Sequence, residues 1–115
     1  MASRWYSTVV DARDPRRLAH WWAEVLGFRV VYETIGETAI RGDGHPGLVF
    51  VPVAADKIVK NRLHLDLEPD DQDAEVERLV DMGARHVDVG QKRVPWVVLA
   101  DPEGNEFCVL AARER

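Results

Sequence analysis

The sequence predicts an α+β fold in which one βαβββ module is used twice. Two observations carry this. The first half reads as a strand at Trp5–Asp11, a helix at Asp14–Leu26 and a β-like stretch that opens with Gly27-Phe28-Arg29-Val30-Val31. The second repeats the plan with a strand at Arg62–Glu68, a helix at Asp71–Met82 and Gly83-Ala84-Arg85-His86-Val87. Asp14 precedes Gly27 by 13 positions and Asp70 precedes Gly83 by 13, which offsets the copies by 56 residues. A repeat of that length present twice reads as a duplicated module, not a solenoid.

Each helix has a start signal and a stop signal. An Asp at the start can accept free backbone N–H groups, and Pro15 at the first helical position loses no donor that the helix needs. A Gly at each end suits the left-handed position that closes a helix. Leu18, Trp21, Trp22, Val25 and Leu26 fall on one face of the first helix. The second has a thinner stripe of Val76, Leu79, Val80 and Met82. After the first helix, β-like runs at Phe28–Glu33, Thr38–Arg41 and Leu48–Val53 are broken by Gly36 and by the turn-rich 42–47. After the second, the runs are Arg85–Val89, Trp96–Ala100 and Glu106–Ala111. The last two are joined by Asp101-Pro102-Glu103-Gly104, with Asp, Pro and Gly at the first, second and fourth positions of a type I turn.

Composition sets the class. A chain of 115 residues with 46% hydrophobic and 30% charged residues is expected to fold as one globular domain, with modules at about 4–53 and 62–112. A net charge of −5 argues against nucleic acid as a partner, since such a protein needs a concentrated basic face. No apolar run is long enough to span a bilayer, and the first residues lack the apolar core of a signal peptide. One cysteine, Cys108, excludes an intrachain disulfide and points to the cytoplasm.

The duplicated plan, the stretch Lys60-Asn61-Arg62-Leu63-His64-Leu65-Asp66-Leu67 and the closing Asp101-Pro102-Glu103-Gly104-Asn105-Glu106-Phe107-Cys108 together resemble the vicinal oxygen chelate superfamily. Its small glyoxalase-like subfamily, related to the bleomycin-resistance proteins, is the nearest likeness. The resemblance covers nearly all of the chain and implies a curled, mostly antiparallel eight-stranded sheet with two outer helices. It also implies a ligand cleft on the concave side and a homodimer. Four metal-ligand positions, usually His, Glu, His and Glu, fall on Ser7, on Phe50 or Val51, on His64 and on Cys108. One position keeps its ligand, one holds a thiol and two hold no donor of the usual kind, so no metal cofactor is expected.

The residues themselves point to an acid–base or binding cleft. Alternation along 62–68 sets Arg62, His64, Asp66 and Glu68 on one polar face, with Leu63, Leu65 and Leu67 packed beneath a helix. His64 can carry a proton near neutral pH, or stand as a hydrogen-bonded wall residue. Arg62 can hold an anion in bidentate fashion, or pair with Asp66 or Glu68. Cys108 reads as a buried thiol, or as a nucleophile if a neighbour lowers its pKa. Ordinary strand rise places Asp66 about 7 Å from His64, too far to share an ion. Ser7, Phe50, Asp66, Trp96, Glu106 and Cys108 are the expected ligand contacts, Phe50 as the apolar one and Trp96 by stacking. Three readings stand at this point. One is a glyoxalase-like lyase or isomerase with a degenerate metal site, using His64 and Arg62. The second is a non-catalytic binder that sequesters an apolar compound. The third is a metalloenzyme completed by Glu106 or Glu33.

Overall fold

The computed structural model describes residues 2 and 4–112, which fall into two compact units, Met1–Asp56 and Lys57–Arg115. Each is a four-stranded mixed sheet carrying one helix, so the eight strands divide into two sheets of four.

In the first unit the elements are β1 (Ser7–Ala12), α1 (Pro15–Leu26), β2 (Arg29–Glu33), β3 (Thr38–Arg41) and β4 (Gly47–Pro52). The sheet order is β1-β4-β3-β2, with β1 parallel to β4 and the other pairs antiparallel. Helix α1 starts where the sequence directs. Asp14 accepts from the Arg17 amide at 3.2 Å, and Gly27 closes the helix at φ 67°. Leu18, Ala19, Trp22, Ala23 and Val25 form its buried face. Trp21 lies half-buried at the edge of that face, edge-on to Trp22 with ring centroids 5.0 Å apart. Beneath the helix the sheet contributes Thr38, Ile40, Leu48 and Phe50, all buried. Gly47 is needed at the start of β4, because a Cβ there would stand 2.8 Å from the Ile40 carbonyl oxygen.

The second unit repeats the plan with β5 (Asp66–Leu67), α2 (Gln72–Asp81), β6 (Arg85–His86), β7 (Val97–Ala100) and β8 (Glu106–Val109). Its order, β5-β8-β7-β6, again sets a parallel pair at one edge. Leu79, Leu99, Phe107 and Val109 are fully buried. Asp71, not Asp70, caps α2 by accepting from the Ala74 amide at 3.0 Å. Caps at Asp14 and Asp71 align the modules with an offset of 57, one more than the glycines indicate. Val80 remains 38% exposed, so Leu79 alone anchors the apolar stripe of α2.

The expected strand 62–68 shrinks to Asp66 and Leu67. Its N-terminal part is drawn out of the sheet by β8, where Glu106 accepts from the Asn61 amide at 3.3 Å and the Glu106 carbonyl accepts from Asn61 Nδ2 at 3.2 Å. Leu63 consequently stands 86% exposed and packs under no helix. The closing corner forms as the turn residues require. The buried Asp101 carboxylate accepts from the Glu103 and Asn105 amides, each at 2.9 Å, and from Asn105 Nδ2.

Candidate functional site

Strand register builds a polar-and-apolar wall on one face of the second sheet. Asp66 pairs with Cys108 across the parallel β5–β8 ladder, and Cys108 pairs with Val98 across β7–β8. Residues in register project to one face, so these three side chains stand in a row. Glu106 and Leu110, two positions either way along the chain from Cys108, share that face. Together with Trp96 and the loop residues Lys60, His64, Val89 and Gln91, they line a cavity of about 280 Å³. That is the low end of small-molecule sites.

Its polar corner is a group of three. His64 Nε2 lies 3.1 Å from Asp66 Oδ1, and donor atoms of His64, Asp66 and Cys108 all fall within 4.8 Å of one another. The expectation that Asp66 lies too far from His64 is therefore corrected. It assumed an extended strand, whereas residue 64 precedes β5 and its side chain turns back onto Asp66. Burial pushes the Cys108 thiol up, and the charge and hydrogen bond of Asp66 add to the rise against a smaller opposing pull from Lys60. The nucleophilic reading needs the opposite shift, so Cys108 stands as a protonated thiol.

Glu106 has a different task. Lys57 Nζ lies 2.7 Å from Glu106 Oε2, and both side chains are largely buried. Burial works to raise the Glu106 pKa, but the Lys57 hydrogen bond and charge and the backbone donors outweigh it and hold the carboxyl below its ordinary range. It is committed to anchoring the 57–61 loop, which removes it from the metal-completing role. Glu33, the other residue given that role, belongs to the first unit and is held by His20 Nε2 at 2.8 Å and Arg16 Nε at 3.5 Å. The ring of His20, on α1, thus pairs with Glu33 of β2.

Of the expected site residues, the cavity wall includes His64, Asp66, Trp96, Glu106 and Cys108 but not Arg62, which is exposed. Asp66 meets His64 in place of Arg62. Ser7 lies half-buried on β1 of the first unit. Phe50 is corrected as a ligand contact, because it is 0% exposed. Its β1 partner is Val10, which places it opposite Ser7, Val9 and Asp11 and against α1. Sequence reasoning missed Val98 and Leu110, which share the Cys108 face, and Lys60, Val89 and Gln91, which lie outside any helix or strand. The signal available for the last was the Gly90-Gln91 turn, where Gln91 Oε1 accepts from the Val89 amide at 2.8 Å.

The metal set that the family likeness implies does not fit this chain. Phe50 is sealed in the core, Val51 is apolar, and neither supplies a donor at the position where a carboxylate is usual.

Two four-stranded mixed sheets, each with a helix, in repeated βαβββ order define an α+β protein of the glyoxalase and bleomycin-resistance fold. The model of the glyoxalase-like domain family matches residues 7–110, and the chain belongs to that family. Among solved structures, the fosfomycin resistance protein FosX of Listeria monocytogenes is similar with a TM-score of 0.74 at 13% identity, covering 98% of this chain and 94% of that one. Oxidase ChaP-H2 follows at TM-score 0.71 and 17% identity over 98% and 96%. The bleomycin resistance determinant encoded on transposon Tn5 gives 0.62 and 19% over 97% and 100%. A search of curated proteins finds no match to this chain.

Proposed function

We propose that the second unit binds a small organic molecule with an apolar or aromatic body and an oxygen-bearing polar group. The carrying observation is the division of the 280 Å³ cavity wall into two chemistries. Val89, Trp96, Val98 and Leu110 offer an apolar side, while Lys60, His64, Asp66 and Gln91 offer donors and acceptors. Burying an aromatic body against Trp96 contributes area and stacking, and the polar corner fixes orientation. The cavity is partly open to solvent, and its volume suits a compact molecule.

A second reading, proton transfer in a lyase or isomerase, is favoured by the His64–Asp66 contact of 3.1 Å, which orients the imidazole toward the cavity corner. The two separate with His64→Gln. Under sequestration the variant keeps binding within a few-fold; under catalysis it binds but loses turnover. Binding is followed by Trp96 fluorescence against a panel of small aromatic carboxylic acids and aldehydes, with Trp96→Phe as the control. A panel that leaves Trp96 emission unchanged at millimolar concentration contradicts the proposal. A cytoplasmic homodimer belongs to the same reading; exposed Trp5, Tyr6 and Val9 supply apolar surface for it, and light scattering in solution tests the mass.

A further inference from the structure

We propose that the face of the first sheet turned away from α1 binds a phosphate-type oxyanion carried on an apolar or aromatic body. Strand register lays two rows of side chains across that face. Arg29 pairs with Arg41, and Ser7 pairs with Gly47. Arg41 reaches over the glycine, since a Cβ on Gly47 would stand 3.6 Å from Arg41 Nε. The first row thus sets a guanidinium and a hydroxyl on either side of a bare glycine, with a second arginine beyond. The neighbouring row is Tyr32, Ala39, Val49 and Val9, joined by the pairs Tyr32–Ala39, Ala39–Val49 and Val9–Val49. A bulge makes this row. Register shifts between Val30 and Tyr32, so Tyr32 and not Val31 stands opposite Ala39. A regular strand would bring Val31 to the face of Arg29, and the extra residue aims the tyrosine there instead. Glu33 consequently turns to the other face, where it meets His20 and Arg16 of α1. Tyr32 stays 52% and Val9 59% exposed, an apolar strip beside a cationic one.

The cationic row has charge to spare. Like charges directly opposed on adjacent strands destabilise a sheet. Asp43 relieves Arg29 only through contacts of 3.4 Å between exposed side chains. Arg41 has no hydrogen bond or ion pair to another of the described residues. Asp11, the carboxylate on this face of β1, lies four residues from Ser7, about 13 Å by strand rise. An oxyanion over Gly47 can accept two N–H bonds from the Arg41 guanidinium and one from the Ser7 hydroxyl, and a dianion balances both arginines. The fold does not demand this chemistry. In the second unit Ala100 pairs with Arg85 and with Glu106, so alanine stands where the first unit has Arg41 and a carboxylate where it has Gly47. The charge bound is opposite in sign to the cation that the family likeness implies at Ser7. The site lies within the first unit and does not depend on binding in the second.

The test titrates the full chain, in low-salt buffer free of phosphate and sulfate, with phenyl phosphate, inorganic phosphate and benzoate. Amide and arginine Nε–Hε chemical shifts report the site. Phenyl phosphate should give saturable shifts at Arg41 Nε–Hε, Gly47 and Tyr32. It should bind several-fold more tightly than inorganic phosphate, which lacks the ring, and than benzoate, which carries one charge. Arg41→Gln should weaken it by about tenfold or more, the loss of one charge-assisted contact, and Arg41→Lys should restore only part. Tyr32→Ser should remove the preference for the ester while leaving inorganic phosphate as it was. Arg78→Gln, on α2 of the second unit, should bind as the parent does. Circular dichroism confirms that each variant is folded. Shifts that fail to saturate, or an affinity unchanged in Arg41→Gln, overturn the site. Equal affinity for phenyl phosphate and inorganic phosphate overturns the organic ligand. Val98→Trp, which fills the second-unit cavity, should leave phenyl phosphate binding intact; loss of binding there would move the ligand to that cavity and overturn the inference, while failure of the first-unit site leaves the cavity proposal standing.

Discussion

Replacing Glu106 with Gln isolates the buried ion pair that anchors the 57–61 loop. The parent carboxylate takes a 2.7 Å contact from Lys57 Nζ and shares the Asn61 amide between its two oxygens at 3.3 and 3.4 Å. Gln keeps one carbonyl oxygen for Asn61, so the loss falls on the charged contact. A hydrogen bond to a charged group contributes about 1.5–3 kcal/mol, and removing one partner of a fully buried pair costs about 3–5 kcal/mol. Lys57 retains 21% side-chain exposure and recovers part of its hydration, which sets the expected destabilisation near the lower range, about 2 kcal/mol. In urea, with a slope of about 2 kcal/mol per molar, the midpoint should fall by about 1 M. Lys57→Met should cost less, and the double variant less than the sum of the singles, because the second change then removes an already unpaired charge. A Glu106→Gln midpoint indistinguishable from the parent, as expected for an ordinary surface change of about 0.5 kcal/mol or less, would refute the anchoring role.

The same carboxyl sets a pH dependence. Its folded pKa lies below the ordinary 4.5, so its stabilisation is complete above that value and is lost as pH falls through the folded pKa. Urea midpoints should decline below pH 4.5, and Glu106→Gln should flatten part of that decline. Phe50→Ala should destabilise by about 3–5 kcal/mol, because the ring is fully buried against α1, while leaving the cavity unchanged; a thermal melt and the ligand panel read the two effects separately. Asp101→Ala should cost about 2–3 kcal/mol by leaving the Glu103 and Asn105 amides without their acceptor. Gly27→Ala should lower stability by about 1 kcal/mol, since φ 67° favours glycine while the space around its Cα is open.

What could be read from the sequence was local. Asp14, Gly27 and the Asp101 corner act on backbone groups within a few residues of themselves, so their identities announce the helix ends and the closing turn. Faces of strands were harder, because they depend on partners far along the chain. Phe50 could be placed toward a ligand or toward a helix until its pairing with Val10, 40 positions away, chose the helix. The meeting of His64 with Asp66 was hidden for a related reason. Alternation presumes a continuous strand, and the pull of Glu106 on Asn61 ends that strand at Asp66. Lys60 and Gln91 carry no periodic signal, since they reach the cavity from irregular segments held by contacts of Lys57, Asn61 and Gln91 rather than by a ladder.

Amide chemical-shift mapping of the isotope-labelled full chain, titrated with the small aromatic carboxylic acids and aldehydes, tests the cavity as the binding site most directly. Shifts should concentrate on Gln91, Trp96, Val98, Cys108 and Leu110 and vanish in Val98→Trp, which fills the space between them. Shifts confined to the first unit, or persisting unchanged in Val98→Trp, would contradict the account.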